Sequence, residues 1–242
     1  MDILNRFKMR LYPFLRIDRI CHAVFKLRFF YFVQIKRSIR NYGDTTGVIS
    51  HPYSLNMVLK GRANTRPLRL IRPLSVVDQV KKDGDVLSVG CRFEKELLYL
   101  AAYGFQPEKI RGLDMVSYSP WVDVGNMHSM PYPDNRWDVV VLGWVISYSS
   151  QPDVAAREVV RIARNGAAIA IGVSYYPIPM LVEMQENGTS EGSCVGDPAS
   201  RKQTVAALLD LFKGHVDEIY FAQEAPDKTR PGMCTVIFSI KK

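Results

Sequence analysis

Short apolar runs alternate with segments of helical periodicity over the last two thirds of the chain. Seven runs are continuous or alternating enough to predict strands, at 86–90, 109–114, 121–126, 137–143, 167–176, 215–223 and 233–242. Between them, apolar residues recur at helical spacing and predict helices at 73–82, 94–104, 151–166 and 201–214. Strands that alternate with helices predict an α/β fold with a doubly wound, mostly parallel sheet.

The end of the chain breaks this alternation. The last two predicted strands, 215–223 and 233–242, are separated by about ten residues, which is too few for a helical crossover. The sequence therefore predicts that the final strand runs antiparallel to its neighbours.

Positive charge is concentrated at the start of the chain. Residues 1–40 contain ten lysines and arginines and two acids, whereas residues 41–242 contain 22 basic and 22 acidic residues. The formal net charge of +8 thus belongs to the first 40 residues, which form a basic arm on a neutral body.

The basic arm is also rich in apolar and aromatic residues. A helical spacing is formed by Ile17, Ile20, Cys21, Val24 and Leu27. Three interpretations remain open: a helical cap packed on the main domain, an amphipathic helix on an anionic membrane surface, or a segment that contacts nucleic acid. No uncharged stretch approaches the roughly 20 residues that a membrane span needs.

The domain organisation follows from these patterns. We predict a helical arm at 1–40, a connector rich in turn residues at 41–72, and a catalytic-type domain at 73–242. The four cysteines are far apart, without metal-ligand or redox spacing, so we expect reduced thiols in a cytoplasmic protein and no metal site.

Ligands of open α/β sheets bind at the carboxyl ends of the strands. Four places meet this condition here, and they are Gly90-Cys91-Arg92-Phe93-Glu94, Asp114, Asn126-Met127-His128 and the turn 143–148 that begins with Gly143-Trp144. A carboxylate at the end of the second strand, Asp114, is suited to accept the two hydroxyls of a ribose.

The same residues carry a resemblance. The stretch "GNMHSMPYPDNRWD" (125–138) is similar to the "G-D-x-x-x-L-P-F-x-D-x-x-F-D" pattern of class I S-adenosylmethionine-dependent methyltransferases, and the likeness extends over about residues 72–242. The resemblance implies a Rossmann-like, seven-stranded, mostly parallel sheet with an antiparallel last strand, and S-adenosylmethionine as cofactor.

The resemblance also implies roles for single residues. Gly90, with Cys91 and Arg92 in the same turn, would contact the methionine part of the cofactor, and Asp114 would hold the ribose. Asn126 would bond the adenine amino group and the Met127 backbone amide a ring nitrogen. The turn containing Gly143 and Trp144 would face the methyl group.

The chain departs from the family pattern in three respects. Ser88 replaces an acid, Arg92 and Glu94 replace the second and third glycines, and the interval from Asp114 to Asn126 is too short for the usual helix. S-adenosylmethionine has no phosphate, so its loop depends less on glycine than a dinucleotide loop does. We expect Arg92 to pair with the carboxylate of the cofactor instead.

Methyl transfer needs mainly alignment, and a general base only where the acceptor must lose a proton. Candidates for catalytic groups are His128 and Tyr148, with His51 and Tyr175 as further candidate bases. Residues 178–200 are long for a connector and are interpreted as a substrate lid.

The function predicted from these observations is methyl transfer to a small or lipid-linked acceptor, with a sugar as one candidate. The predicted location is the cytoplasm, with residues 1–40 at the inner face of a membrane. One alternative is a catalytically inactive module that binds a membrane or a partner through the arm. A second is an RNA methyltransferase, which the lack of an "N-P-P-Y" turn disfavours.

Overall fold

The computed structural model describes residues 11–43, 66–187 and 201–242. Most of the predicted connector, the candidate base His51 and the second half of the predicted lid lie outside these residues. The chain divides into two compact units, Met1–Asn126 and Met127–Lys242. The domain boundaries predicted from the sequence stay a prediction.

The first unit contains three α-helices and five strands within its described residues. A 3-10 turn, Tyr12–Arg16, leads into the first helix, and a π-helical turn, Tyr31–Ile35, extends it. The helices are α1 (Asp18–Phe30), α2 (Leu68–Val76) and α3 (Glu94–Ala102). The strands are β1 (Arg40–Asn41), β2 (Val86–Val89), β3 (Ile110–Asp114), β4 (Val116–Ser117) and β5 (Val122–Val124).

Three of these strands form a parallel sheet. β2 pairs with β3 from Val86 opposite Ile110 to Val89 opposite Leu113, and β3 pairs in turn with β5. Every residue of β2 is buried, as expected for a parallel strand that is covered on both faces. β1 and β4 form a separate antiparallel pair.

The second unit contains three further helices and four strands within its described residues. The strands are β6 (Trp137–Gly143), β7 (Ala163–Tyr175), β8 (Val216–Gln223) and β9 (Gly232–Ile240). The helices are α4 (Pro152–Ile162), α5 (Ile178–Glu186) and α6 (Val205–Asp210). β6 and β7 are parallel, and β9 runs antiparallel to both β7 and β8.

The seven main strands have the order β5-β3-β2-β6-β7-β9-β8. This order confirms the predicted mostly parallel sheet with an antiparallel last strand. The only strand between β3 and β5 is the two-residue β4, which agrees with the expectation that this crossover lacks its usual helix.

Three predicted helices have other bounds in the structure, and one of them, predicted at 201–214, is the shorter α6 at Val205–Asp210. The helix predicted at 73–82 is α2, at Leu68–Val76, because its buried residues Leu70, Ile71 and Leu74 share one face and outweigh the interior Pro73. The helix predicted at 151–166 ends at Ile162, because Ala163 already pairs with Trp137 at the start of β7.

The predicted arm helix exists, and the structure shows which of its sides is buried. Cys21, Phe25 and Phe29 are buried on α3 and its surroundings, whereas Ile17, Ile20 and Leu27 are exposed. Among the residues described, no helix combines the length and the apolar character that crossing a bilayer requires.

The inner face of α1, which consists of the buried residues Cys21, Phe25 and Phe29, covers the short crossover between β3 and β5. The rings of Phe29 and Tyr118 meet edge to face at 5.0 Å, and the Arg28 guanidinium lies 5.0 Å from the Trp121 ring centre. After the helix, Arg40 donates hydrogen bonds of 3.0 Å to the carbonyl oxygens of Ser119 and Val122. The N-terminal segment therefore supplies the cover that the crossover lacks.

Candidate cofactor site

The turn after β2 keeps a left-handed backbone at Arg92, where the family pattern has a glycine. Gly90 has φ of +69° and Arg92 has φ of +50°. A non-glycine residue in this conformation costs on the order of 1 kcal/mol or more, so the surrounding structure must hold it. The Gly90 amide donates to the Leu113 carbonyl at 2.7 Å, which fixes the start of the turn against the end of β3.

Asp114 holds the other side of this turn. Its Oδ2 accepts the Arg92 backbone N–H at 2.8 Å, and its Oδ1 accepts the Val116 N–H at 3.3 Å. Burial raises the pKa of Asp114, while these backbone hydrogen bonds and the Arg92 charge act in the opposite direction. A carboxylate has about four lone-pair positions, so Asp114 can still accept ligand hydroxyls.

The side chain of Cys91 is buried beneath the turn. A Cβ built on Gly112 would lie only 2.6 Å from Cys91 Sγ, so the thiol occupies space that only a glycine leaves open. Burial raises the pKa of the Cys91 thiol well above its usual value. Any contact of Cys91 with a cofactor would therefore use its backbone.

The side chain of Arg92 lies over the ring of the next residue, Phe93. The Arg92 guanidinium lies 5.5 Å from the centre of the Phe93 ring. Phe93 in turn meets Phe25 and Phe29 of α1 at 5.6 and 6.3 Å between ring centres. Phe93 is thus part of the aromatic cluster beneath α1.

Glu94, at the third glycine position, serves the packing of α1. Its fully buried carboxylate accepts two hydrogen bonds from Arg28, of 2.7 and 2.8 Å, in a bidentate pair. The Ser119 hydroxyl donates to the same carboxylate. No local pattern in the sequence indicated that this acid would bind the arm.

Glu96 is a second buried acid that sequence reasoning missed. It lies in the first turn of α3, and it accepts a hydrogen bond from the Ser88 hydroxyl. Burial raises the pKa of Glu96 to about 7, and the nearby Asp114 adds to the increase. The carboxyl group absent at position 88 is therefore replaced by one that reaches Ser88 from the helix. The sign of this in the sequence was Ser88 in place of the family's acid, together with Glu96 in the predicted helix that follows.

The loop that follows the first unit is fixed by charged residues of α4. Glu158 accepts the Met130 N–H at 2.7 Å, and Arg161 donates to the carbonyl oxygens of Met130 and Tyr132 at 3.0 and 2.8 Å. Glu158 and Arg161 also pair with each other at 2.8 Å. This i, i+3 acid–base pair on an amphipathic helix could have been found in the sequence.

The turn after β6 also has a strained residue. Trp144 has φ of +63°, and its N–H donates to the Gly172 carbonyl at 2.7 Å. A Cβ on Gly172 would lie 3.1 Å from two carbons of the Trp144 ring, so the glycine leaves room for the indole. Gly143, the preceding residue, is partly exposed at the end of β6.

The two candidate catalytic residues lie in the second unit. His128 Nε2 is 2.7 Å from Ser149 Oγ, and burial lowers the pKa of His128, which favours the neutral ring. Tyr148 ends a 3-10 turn, Ile146–Tyr148, and half of its side chain is exposed. Asn126 and Met127, the last and first residues of the two units, are both partly exposed.

Residues 87–171 match a family model described as a methyltransferase domain. This range contains the turn after β2, Asp114, the loop held by α4 and the turn after β6. The match covers about a third of the chain and identifies residues 87–171 as similar to a methyltransferase domain.

A curated relative is the ajmaline N-methyltransferase of Rauvolfia serpentina, which is 33% identical to this chain over 112 residues. The match covers 39% of this chain and 37% of that protein. The chain therefore matches little more than a third of the relative's length.

Solved structures show the same fold at low sequence identity. The MccD protein has a TM-score of 0.52 and 12% identity, with 74% of this chain and 97% of that chain covered. A protein of Pyrococcus horikoshii OT3 has a TM-score of 0.51 and 15% identity, with 72% and 89% covered. The [4+2]-cyclase SpnF has a TM-score of 0.50 and 16% identity, with 71% and 80% covered. A cyclase among these structures means that the fold alone does not name the reaction.

Proposed function

We propose that this protein transfers a methyl group from S-adenosylmethionine to a small or lipid-linked acceptor, with a sugar as one candidate. The observation that supports this most is the hydrogen bond between the Arg92 backbone and Asp114. It holds the turn in glycine-like geometry despite the arginine, so the departures from the family pattern leave the backbone of the turn intact.

The residues present suit the adenosyl part of the cofactor. Asp114 keeps acceptor capacity for ribose hydroxyls, and Gly90 leaves the backbone of the turn open to close approach. Asn126 and the Met127 amide are assigned to the adenine, and Gly143 and Trp144 to the methyl end. When bound, S-adenosylmethionine supplies an activated methyl group, so the chain needs to provide mainly alignment.

We assign Arg92 to the carboxylate of the cofactor's amino acid tail. A guanidinium can bind a carboxylate through two parallel hydrogen bonds, which a glycine at this position cannot provide. The position of Arg92 over the Phe93 ring supports this assignment. A side chain that is already held in place loses less conformational entropy when it binds a ligand.

His128 is assigned the role of base for an acceptor that must lose a proton. This role needs the tautomer in which Nε2 donates to Ser149 Oγ, so that the lone pair stays on Nδ1. Tyr148 is assigned to the acceptor, because it is an exposed aromatic residue close to the end of β6.

The acceptor class and the location are also part of the proposal. The basic, aromatic segment 1–40 supports a cytoplasmic protein that meets an anionic membrane surface, where lipid-linked acceptors are found. The matched relative is named for methylation of ajmaline on nitrogen, and a match to 37% of its length does not carry that acceptor to this chain.

The test of the cofactor assignment is the binding of S-adenosylmethionine measured by titration calorimetry. We expect Asp114→Asn to weaken binding by roughly tenfold or more, because a hydrogen bond to a charged group contributes about 1.5–3 kcal/mol. The matched control is Asp78→Asn, an exposed acid of the same unit that should leave the affinity unchanged.

Two results would overturn the assignment. One is the absence of measurable binding to the wild-type protein, which would favour the inactive module. The other is an affinity of Asp114→Asn equal to that of wild type. Neither alternative raised by the sequence, the inactive module or the RNA methyltransferase, is favoured by the family match.

A further inference from the structure

Helix α1 is apolar on two opposite faces, and only one of them is covered within the described residues. Its inner face consists of Cys21, Phe25 and Phe29, which are buried. Its outer face, as the term is used below, consists of large exposed residues, namely Ile17, Ile20, Leu27, Phe30 and Tyr31. At about 100° per residue, Leu27 lies about 200° around the helix from Phe25, so the two faces point in opposite directions.

The outer face is the centre of an unusual concentration of exposed apolar residues. Of the 15 large hydrophobic residues that are exposed in the described parts of the chain, ten lie between Leu11 and Tyr42. Scattered exposed apolar residues are ordinary, but a contiguous set of this kind marks an interaction surface. Leu27 has 70% of its surface exposed although it lies in the middle of a helix.

The charge around this face selects the kind of partner. Residues 11–43 contain seven basic residues and a single acid, Asp18. Asp18 is bound to Lys95 at 3.1 Å and to the Tyr99 hydroxyl, so its charge is used on the inner side. Arg19 and Lys26 lie about 100–120° around the helix from Phe25, at one border of the outer face. The outer face therefore presents apolar side chains beside positive charge.

We propose that the outer face of α1 docks on an anionic lipid surface, with the helix parallel to the membrane plane. This inference rests on the membrane partner of the proposed function and assigns it to one face of one helix. An interfacial helix buries its apolar side chains at the level of the headgroups while lysines and arginines contact anionic lipid. Phe30 and Tyr31 suit this position, since aromatic side chains concentrate at membrane interfaces.

A second copy of the chain fits this face less well. Two outer faces packed together would bring Arg19 and Lys26 of both copies into one interface, while the one acid of the described segment, Asp18, is engaged with Lys95 on the other side of the helix. Like charges oppose such an association, whereas an anionic bilayer neutralises them.

The test is sedimentation of the full-length protein with vesicles of phosphatidylcholine, with and without phosphatidylglycerol. We expect binding to the anionic vesicles and much weaker binding to the neutral ones. The variant Ile20→Ser/Leu27→Ser/Phe30→Ser should bind at least about tenfold more weakly, and so should Arg19→Gln/Lys26→Gln, with a reduced sensitivity to salt.

The matched control replaces three apolar residues of similar exposure elsewhere, in the variant Val76→Ser/Ile178→Ser/Ile219→Ser. We expect it to bind as wild type does. The inference is overturned if the outer-face variant binds equally well, if the control loses as much affinity, or if neutral and anionic vesicles bind alike. It is also overturned if the wild type forms a dimer that the outer-face variant abolishes while neither binds vesicles.

Binding of S-adenosylmethionine to the same variants in solution separates this inference from the proposed function. Unchanged cofactor affinity in the outer-face variant, together with lost vesicle binding, supports the docking surface. A wild-type protein that binds cofactor but no vesicles overturns the docking surface and leaves the proposed methyl transfer standing.

Discussion

In the turn after β2, the residues that replace the family's glycines make new contacts, while the backbone keeps a left-handed conformation at Arg92. Arg92 adopts a φ of +50° and is held there by Asp114, the residue assigned to the ribose. Glu94 binds Arg28 of α1, and Glu96 supplies the carboxyl group that Ser88 lacks. The replaced glycines therefore provide contacts within the first unit, and Asp114 both shapes the turn and is available to a ligand.

Glu96 should make stability depend on pH. Its pKa is raised from 4.5 to about 7 by burial, with Asp114 opposing ionisation and the Ser88 hydrogen bond favouring it. The folded state thus holds a proton that the unfolded chain releases above about pH 4.5. The contribution of the Glu96 proton to stability is present in full below that pH, falls up to about pH 7, and is constant above it.

We expect Glu96→Gln to remove this dependence, because glutamine does not ionise and still accepts the Ser88 hydrogen bond. Relative to the variant, the wild type should lose up to about 3 kcal/mol of unfolding free energy between about pH 4.5 and pH 7. Urea unfolding at several pH values measures this difference. Glu108→Gln, at an exposed site, is the control, and parallel pH profiles of wild type and Glu96→Gln would contradict the prediction.

Helix α1 illustrates what periodicity can and cannot determine at the level of an element. The spacing of Ile17, Ile20 and Leu27 correctly predicted a helix, but it did not indicate which face would be buried. A helix that is apolar on two opposite faces has no single amphipathic solution, and its orientation depends on partners distant in sequence. Here those partners are Phe93, Tyr118 and Glu94, which no local pattern links to α1.

The attachment of α1 through Arg28 and Glu94 can be measured directly. Arg28→Met leaves a fully buried carboxylate without its bidentate partner, so we expect a loss of about 2–3 kcal/mol, the lower range for such pairs because Arg28 is partly exposed. Chemical unfolding should also show that Arg28→Met/Glu94→Gln costs less than the two single changes added together.

Arg19→Met serves as the comparison, since Arg19 is an exposed cation of the same helix. It should change stability by no more than about 0.5 kcal/mol. Strict additivity of the Arg28 and Glu94 substitutions would show that the pair does not anchor the helix.

The sequence predicted the sheet well and the site only in outline. Strand positions such as β6, Trp137–Gly143, follow from continuous apolar runs that only a buried strand explains. The end of α4 was missed because Gly166 predicts a later end of the helix, whereas Ala163 already pairs with Trp137 of β6. The roles of Glu94 and Glu96 depend on contacts across the fold, and a local pattern of two acids after a turn indicates only a helix start.

At the scale of the whole molecule, the segment that carries the net charge is not separate from the packed core. The first 40 residues carry the entire net charge of +8, which suggested an arm that could be separated from the body. Yet Leu15, Phe25, Phe29 and Val33 from this segment are buried in the first unit. The segment is therefore part of the core on one side and a charged surface on the other.

Deleting residues 1–43 should consequently prevent folding of the first unit. Truncation of a buried phenylalanine alone costs about 3–5 kcal/mol, and a typical domain has only about 5–15 kcal/mol of stability. Calorimetry and solubility assays should find an aggregating protein without the wild-type unfolding transition. The outer-face variant is the control and should melt cooperatively, whereas a soluble truncation with a near wild-type Tm would show that the arm is an independent domain.

The short crossover between β3 and β5 has a consequence for how the protein is made. Because α1 rather than an intervening helix covers this crossover, α1 is synthesised well before the strands on which it packs. Glu94, the partner of Arg28, follows 66 residues later in the chain. Until Glu94 and the crossover have been synthesised, both apolar faces of the nascent helix are exposed to its surroundings. A bilayer close to the site of synthesis could shelter one of those sides in the interval, and translation in its absence should make the chain more dependent on chaperones.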